Sequence, residues 1–285
     1  MTKKESVNFW TVPQLANLEL LHATYVQQNF SKHFHDGFAF GVIEQGALRF
    51  SYHGESLVAA SGCINLANPG EAHDGFAATE AGWTYRMFYL QPKLLEQAVY
   101  DLSGKINTLP FFAAGVIEDP YLAMFIRKFH FLLEKSALTF LEQDSLLLIM
   151  LTEFISRYGR ETVPVRRLGK EMPRIRLVRE YIEENYQRNF SLQELASLVQ
   201  ISPFYLIRLF KAAIGLPPHL YLKQVRIRRA KELLASGLSL ASIAQAMGFT
   251  DQSHFSRQFK ELMGITPKNY SKIIQEKSPG LFTIK

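Results

Sequence analysis

The stretch GFTDQSHFSRQFKELMGITPKNY, residues 248–270, decides the fold. Phe255 and Phe259 are four residues apart, which is the spacing of neighbours on one face of a helix. We therefore expect a helix that buries both rings and exposes the polar residues around them: Gln252, Ser253, His254, Ser256 and Arg257. A helix does not need such donors for its own stability, so this face indicates a binding partner outside the protein.

The same pattern occurs twice. Residues 191–221, SLQELASLVQISPFYLIRLFKAAIGLPPHLY, parallel residues 239–270, SLASIAQAMGFTDQSHFSRQFKELMGITPKNY. Ser191 and Ser202 are predicted helix N-caps, Pro203 suits the first position of a helix, and Gly215 suits the end of one. Each copy thus predicts a short helix, a tight turn and a second helix, which is the helix-turn-helix pattern. Two copies make this interpretation far more specific than one.

In a helix-turn-helix, the second helix enters the major groove and its first residues meet base edges. Glutamine suits adenine, arginine suits guanine, and an aromatic ring suits a thymine methyl. The predicted base contacts are Phe204, Tyr205, Arg208, Gln252, Ser253, His254, Ser256 and Arg257. Lysines and helix N-termini hold phosphates, and the predicted phosphate contacts are Ser202, Lys211, Lys260 and Lys268.

A connecting helix is predicted from Pro218 to Ala235. At 1.5 Å per residue it is about 27 Å long, so helices at its two ends can face successive major-groove turns about 34 Å apart. Its basic residues are Arg226, Arg228, Arg229 and Lys231. We expect at least half of these charges to pair within the protein, with Glu232 and neighbouring acids, rather than with DNA.

The charge is distributed unevenly over the 285 residues. Residues 1–160 hold 12 basic and 16 acidic residues, a net charge of −4, whereas residues 161–285 hold 20 and 10, a net charge of +10; the whole chain carries +6. The basic second half predicts a polyanionic partner, double-stranded DNA before a membrane surface. Cys63 is the only cysteine, so no disulfide can form within the chain. The absence of a signal-like or membrane-spanning apolar run predicts a cytoplasmic protein without a membrane partner.

The two halves predict different folds, giving an α+β protein of two domains. Short apolar runs separated by turn residues predict strands across residues 1–110, in a small barrel. Two helical patterns follow within residues 119–158, and we expect this pair to form a homodimer rather than only to cover the barrel. The predicted domains are 1–160 for the barrel and helices, 161–173 for a linker, and 174–285 for an all-α DNA-binding domain.

Residues 174–273 resemble the DNA-binding domain of the AraC/XylS family of bacterial transcription regulators. The family's C-terminal pattern is matched without a gap by Ile243, Ala244, Gly248, Phe249, Phe255, Arg257, Phe259, Lys260, Gly264, Thr266, Pro267 and Tyr270. Ile207 departs from the family, which often has a polar contact there. The resemblance implies a cupin-like barrel that binds a small effector, a movable arm over Met1 to about Gln14, and RNA polymerase as a further candidate partner.

The barrel's ligand pocket is predicted from HFHDGF (33–38), NPGEAHDG (68–75) and GWTYRMFYL (82–90), the first two resembling the histidine-bearing segments of cupins. The candidate residues are His33, His35, Phe38, Glu71, His73, Trp83, Tyr85 and Arg86. Arg86 suits a carboxylate, and Glu71 and Asp74 suit an amine, so an amino-acid-like effector is one hypothesis. Strand alternation argues against Arg86, because it puts Trp83 and Tyr85 together and Arg86 on the other face.

His33, His35 and His73 together are also compatible with a metal site. Metal-binding cupins usually add a glutamate four or five residues after the second histidine. Ala39 and Phe40 stand there, and Glu44 is too far along. We therefore expect no metal and no cofactor, with the histidines lining the ligand pocket or serving only its structure.

Two other functions are compatible with the motifs. A metal-dependent cupin enzyme with a DNA-binding domain requires a complete ligand set with an open position, and the missing glutamate argues against it. Cys63 is predicted to be a small core residue, so no catalytic residue is expected. A purely architectural DNA-binding protein leaves the barrel unexplained. The sequence therefore predicts a sequence-specific transcription regulator controlled by a small effector, and not an enzyme.

Overall fold

The computed structural model describes residues 5–104, 108–159, 172–263 and 265–277. The chain divides into two compact units, Met1–Ser136 with Leu146–Arg167, and Ala137–Ser145 with Leu168–Lys285. Each unit has an apolar core of its own. Most of the predicted linker, 161–173, lies outside the described residues, so its boundaries stay a prediction.

The first unit is built around a nine-stranded sheet that folds into a barrel. Its strands are β1 (Ser6–Val12), β2 (Leu18–Tyr25), β3 (Phe30–His33), β4 (Phe38–Tyr52), β5 (Glu55–Ala60), β6 (Ile64–Ala67), β7 (His73–Ala77), β8 (Trp83–Leu90) and β9 (Val116–Ile117). The main path runs β1-β2-β8-β4-β6-β9, while β3 pairs with β7, and both β5 and β7 pair with β4.

Strand β4 is the element that joins the two sides of the barrel. It pairs with β6 and β8 over its first half and with β5 and β7 over its second half. Its register with β8 shifts between Ile43 and Gln45. Gly46 follows this shift with a φ of +70°, and a Cβ there would lie 1.9 Å from the carbonyl oxygen of Gly82. Only glycine fits this bend.

The predicted arm is part of the sheet where it is described. Strand β1 pairs antiparallel with β2 from Ser6↔Thr24 to Val12↔Leu18. Before it, Glu5 Oε1 accepts hydrogen bonds from the backbone N of Val26 and Gln27 at 2.8 and 2.7 Å. The predicted arm is therefore an edge strand of the barrel over Ser6–Val12, and its movement stays a prediction.

Three helices accompany the sheet: α1 (Pro92–Ser103), α2 (Pro120–Glu134) and α3 (Phe140–Tyr158). Helices α2 and α3 confirm the predicted helical patterns, and the Asp119 carboxylate caps α2 by accepting from the N of Leu122 at 3.0 Å. Helix α1 was not predicted, since residues 1–110 were all expected to form strands and turns. Its signals were Pro92 at the first position and Gly104 at the end, where φ is 78°.

The second unit holds α4 (Met172–Glu184), α5 (Leu192–Leu198), α6 (Pro203–Ile214), α7 (Pro218–Ala235), α8 (Leu240–Ala246), α9 (Gln252–Met263) and α10 (Pro267–Lys277). The hydroxyls of Ser191 and Ser202 accept from the N of Glu194 and Tyr205 at 3.1 and 3.2 Å. Gly215 ends α6 with a φ of 83°. These caps confirm the first copy of the motif, α5–α6, and the hydroxyl of Ser239, which accepts from the N of Ser242 at 3.1 Å at the start of α8, supports the second, α8–α9.

No single described helix is long and apolar enough to cross a membrane. Helices α5 and α6 pass by length and composition only as a pair, bent by 80°. This pair is the first helix-turn-helix, and its large apolar residues Leu206, Leu209 and Phe210 are buried in the second unit.

Candidate DNA-binding surface and effector cavity

Helix α9 has the two faces that its sequence predicts. Phe255 and Phe259 are fully buried and pack in a core cluster with residues of α7 and α8. The outward side chains Gln252, Ser253, Arg257 and Lys260 are exposed, and Ser256 is half-buried. The helix therefore presents amide, hydroxyl and guanidinium groups from its first two turns, where a major-groove helix meets bases.

His254 does not belong to this exposed face. Its side chain is 2 % exposed, and its ring meets that of Phe249 edge-on at 5.5 Å. Nδ1 lies 2.9 Å from the hydroxyl of Thr250, while the backbone N donates to the Asp251 carboxylate at 2.7 Å. Burial lowers the pKa of the ring, so it is neutral at pH 7. The prediction that His254 contacts a base is wrong, because the ring fills the core.

Helix α6 buries a wider face than its sequence suggests. Besides Leu206, Leu209 and Phe210, the side chains of Phe204 and Ile207 are 3 % and 5 % exposed. Phe204 is therefore a core residue, and its predicted base contact is wrong. The burial of Ile207 explains why a polar residue is absent there. Tyr205 and Arg208 remain half-buried and Lys211 is exposed, so these side chains form the outer face.

The charges of the connecting helix α7 pair largely within the protein, as expected. Arg226 is 2 % exposed and donates from Nε to the carbonyl of Tyr186 at 2.7 Å and from Nη2 to that of Arg188 at 2.9 Å. Arg228 donates to Glu183 at 2.8 Å. These contacts fix α7 within its unit, so the exposed cations of the motif helices are better phosphate candidates.

The barrel contains a cavity of about 150 Å³. It is lined by Leu21, Tyr25, Phe30, His33, His35, Ala39, Leu48, Phe50, Asn65, Leu66, Ala67, His73, Asp74, Gly75, Trp83, Tyr85, Met87 and Tyr89. The predicted pocket residues His33, His35, His73, Trp83 and Tyr85 are thus brought together. Sequence analysis missed Tyr25, which the alternation of β2 identifies with Leu21, and Phe30 and Phe50, for which it offers no comparable signal.

Two predicted pocket residues lie elsewhere. Phe38 is buried on the opposite face of β4 from Ala39, with its ring 5.8 Å from that of Phe112. Glu71 accepts from the hydroxyl of Tyr52, and its Oε1 lies 2.6 Å from Nε2 of His53. Strand alternation turns the first side chain away, and hydrogen bonds hold the second outside the cavity. Both predictions are therefore wrong.

Arg86 is the third correction, and strand alternation explains it. Its side chain is buried on the face of β8 opposite Tyr85, donating from Nε to Glu44 Oε1 at 2.9 Å and from Nη1 to Glu134 Oε2 at 2.6 Å. The alternation predicted for residues 83–89 is thus confirmed, and Arg86 does not line the cavity. Its guanidinium instead ties β8 to strand β4 and helix α2.

Three histidines form one polar corner of the cavity. The ring centroids of His33 and His73 are 4.5 Å apart, and His35 lies 5.0 and 5.1 Å from these two. Burial, and then the neighbouring His73 and His33, lower the pKa of His35 to about 4. Burial likewise lowers the pKa of His73. His35 and His73 are therefore neutral near pH 7, so these two rings offer nitrogen lone pairs rather than positive charge.

Comparisons with known proteins match both parts of the chain. Residues 15–151 match the family model described as the AraC-like ligand binding domain, and residues 195–273 match that of a helix-turn-helix domain. An uncharacterized HTH-type transcriptional regulator, YbfI of Bacillus subtilis, is 31% identical over 231 residues, covering 80% of this chain and 82% of that protein.

Two further likenesses cover a little over a third of the chain. The probable transcriptional regulator LumQ of Photobacterium leiognathi is 36% identical over 100 residues, which are 35% of this chain and 40% of that protein. The solved C-terminal domain of AraT, a response regulator from Geobacillus stearothermophilus, is 33% identical with a TM-score of 0.35, covering 38% of this chain and 88% of that one.

Proposed function

Since this chain belongs to the AraC family of transcription regulators, with a ligand-binding and a DNA-binding domain, we propose which residues read DNA and where the effector binds. The observation that carries the proposal is the aromatic cavity of the barrel, in a chain that also has two capped helix-turn-helix motifs. Occupation of the cavity changes the affinity of the protein for double-stranded DNA.

The proposed base contacts are the outward residues of the two motif helices: Tyr205, Arg208, Gln252, Ser253, Ser256 and Arg257. The exposed lysines Lys211, Lys260 and Lys268, with the N-terminus of α6 at Ser202, hold phosphates. The exposure of Arg257 supports this division, because a bidentate contact to guanine requires a free guanidinium at the start of the helix.

The proposed effector is small and largely apolar, with one polar group. A cavity of about 150 Å³ holds a molecule of about the size of benzene. Trp83, Tyr85 and Tyr89 supply an aromatic wall, while Asp74 and the histidine corner supply polar contacts. An amino-acid-like effector loses support, since neither the Arg86 guanidinium nor the Glu71 carboxylate faces the cavity.

The proposed homodimer uses helix α2. Tyr121, Met124 and Phe131 recur on one side of this helix and are 78, 63 and 46 % exposed. An apolar stripe of this kind is typical of a surface that pairs with a second copy.

Binding to RNA polymerase stays a prediction, because no contact among the described residues tests it. A regulator of transcription acts where the chromosome lies, which supports the cytoplasm as its location.

We further propose that the barrel binds its ligand without transforming it. The relative that matches 80% of this chain is a transcriptional regulator by name, which supports this interpretation. The competing hypothesis of a cupin enzyme predicts turnover of a compound that binds in the cavity.

The fluorescence of Trp83 tests the effector site directly. Trp10→Phe leaves Trp83, which is fully buried in the cavity wall, as the only tryptophan. Titration with a panel of small aromatic and branched compounds should give a saturable change in emission for one chemical class. Ala39→Leu, which fills the cavity, should abolish that change while far-UV circular dichroism stays the same. Saturable binding that persists unchanged in Ala39→Leu contradicts the proposed site.

A further inference from the structure

We propose that His33, His35 and His73 bind a divalent transition-metal ion at the cavity wall, with one coordination position left open to the cavity. His33 ends β3, His73 begins β7, and His35 follows β3 by two residues. The sequence predicted no metal, because the glutamate of metal-binding cupins is missing. The arrangement of the three rings points to an ion held by nitrogen atoms alone.

The ring nitrogens of the three histidines lie close enough together to bind one ion. One ring nitrogen from each histidine can be chosen so that the three atoms lie within 4.8 Å of one another. Nitrogen atoms bound to one ion at about 2.0–2.1 Å lie about 3.3 Å apart in a tetrahedral site, so small ring rotations complete the geometry. His33 and His73 are cross-strand partners in the β3–β7 pair. Backbone pairing thus holds two of the three ligands in position.

Hydrogen bonds orient the rings of His33 and His73 for binding an ion. Nδ1 of His33 lies 2.8 Å from the carbonyl oxygen of Ser31, and Nδ1 of His73 lies 3.0 Å from that of Glu71. A carbonyl oxygen only accepts, so both Nδ1 atoms carry the hydrogen and both Nε2 atoms keep a lone pair. Metal-binding histidines are oriented in the same way, by a second hydrogen bond from the ring nitrogen that is not the ligand.

Three neutral imidazole ligands do not compensate the charge of a divalent ion. Glu44 cannot join them, because its carboxylate accepts from Arg86 at 2.9 Å and Arg127 at 2.8 Å. Three imidazoles leave the full charge of a divalent ion, which favours an anionic oxygen or sulfur ligand from the cavity. That this ligand is the effector rests on the proposed function of the cavity, whereas binding of the ion does not.

Cobalt(II) titration of the tag-free, metal-stripped full chain tests the site, since its visible d–d absorption reports coordination. We expect about one equivalent to bind. His35→Ala and His73→Ala should each weaken binding by about 100-fold or more, since each removes one ligand. His53→Ala is the matched control, because this exposed histidine of the same barrel contacts Glu71 and lies outside the cluster. It should leave the affinity unchanged.

His35→Gln should also weaken cobalt binding. Tryptophan emission equal to that of the wild type shows that this variant keeps the fold, so its weaker binding reflects the lost ligand. Azide should shift the cobalt bands if a position is open. Absence of saturable cobalt binding, or equal affinity in wild type and both alanine variants, overturns the metal site. Binding that azide does not perturb overturns the open position. DNA affinity, measured separately, tests the regulator independently of the ion.

Discussion

Arg86 Nη1 lies 2.6 Å from Glu134 Oε2 and thereby joins strand β8 to helix α2. The neighbours of Arg86 along β8, Tyr85 and Met87, point to the other face and line the cavity. Helix α2 carries the exposed apolar stripe that we propose as the dimer surface. A movement of β8 on ligand binding therefore reaches that helix through Arg86 and through His130 of α2, whose ring nitrogens lie 3.1 Å from Arg86 Nη1 and 3.2 Å from the carbonyl oxygen of Met87.

Removal of this cation should destabilise the barrel. Arg86→Met leaves the carboxylates of Glu44 and Glu134 without their buried partner, which costs about 3–5 kcal/mol. Urea unfolding followed by tryptophan emission measures the loss, because Trp10 and Trp83, the only two tryptophans, both lie in the first unit.

Arg127→Met is the matched control for that measurement. Arg127 contacts the same Glu44, but its side chain is 64 % exposed, so its loss should cost less than about 1 kcal/mol. An equal effect of the two substitutions contradicts the structural role given to Arg86.

The same cluster predicts acid lability. Burial by itself raises the pKa of Glu44, but hydrogen bonds from His22 and Arg86 and the charge of Arg86 bring it down to about 2. Since this folded-state pKa lies below the ordinary 4.5, the stabilisation is complete above about pH 4.5 and is lost as the pH falls toward 2. Burial and Arg86 lower the pKa of His130 to about 3, so its protonation opposes folding from about pH 6.5 downward.

Urea midpoints at pH 7 and pH 3.5 measure this dependence. The wild-type barrel should lose about 4–5 kcal/mol of unfolding free energy between them, about 4 kcal/mol from His130 and the rest from Glu44. Glu44→Gln should flatten the lower part of the curve, because the group that titrates there is gone. An identical pH dependence in Glu44→Gln assigns the acid lability to other groups and contradicts the account.

The DNA surface predicts different effects for two neighbouring cations. Arg257→Ala should cost about 1–3 kcal/mol on a duplex selected from a random pool and relax preference at one base position. Lys260→Ala should weaken binding to all duplexes alike and reduce the salt slope by about one. Arg176→Ala is the control, because this arginine lies on the exposed face of α4 and pairs with Glu180, and it should change neither. A uniform loss in both test variants contradicts the base contact of Arg257.

The apolar stripe of α2 predicts a self-association surface. Met124→Glu introduces a charge where the second copy packs, so sedimentation velocity should record a shift from dimer to monomer. Val58→Glu, at a similarly exposed apolar position on strand β5, should leave the dimer intact. A wild-type chain that sediments as a monomer at micromolar concentration contradicts the proposed dimer.

The helical half could be predicted closely because its signals are local. Ser202, Pro203 and Gly215 specify where α6 begins and ends within a few residues of sequence. The resemblance to a family then indicated which helices are expected to read DNA. The burial of Phe204 and His254 could not be predicted, because it depends on how far neighbouring helices wrap around α6 and α9.

The sequence predicted that the first unit contains a small barrel, but it predicted fewer of the side-chain contacts within that barrel. Alternation along β8 correctly separated Tyr85 from Arg86, since the period of a strand is fixed at two. The partners of Arg86 lie at Glu44 and Glu134, which are distant in sequence, and no local pattern identifies them. The histidine cluster likewise depends on the β3–β7 register, which brings His33 opposite His73.

The central claim is that a molecule in the barrel controls sequence-specific DNA binding, and fluorescence anisotropy measures this most directly. The full chain is titrated onto a selected duplex and a scrambled one across a salt series, with and without the compound that quenches or enhances Trp83. The account predicts a preference of about a thousandfold or more for the selected duplex, altered by the compound in wild type and unaltered in Ala39→Leu. Equal affinity for both duplexes, lost at moderate salt and indifferent to the compound, would contradict it.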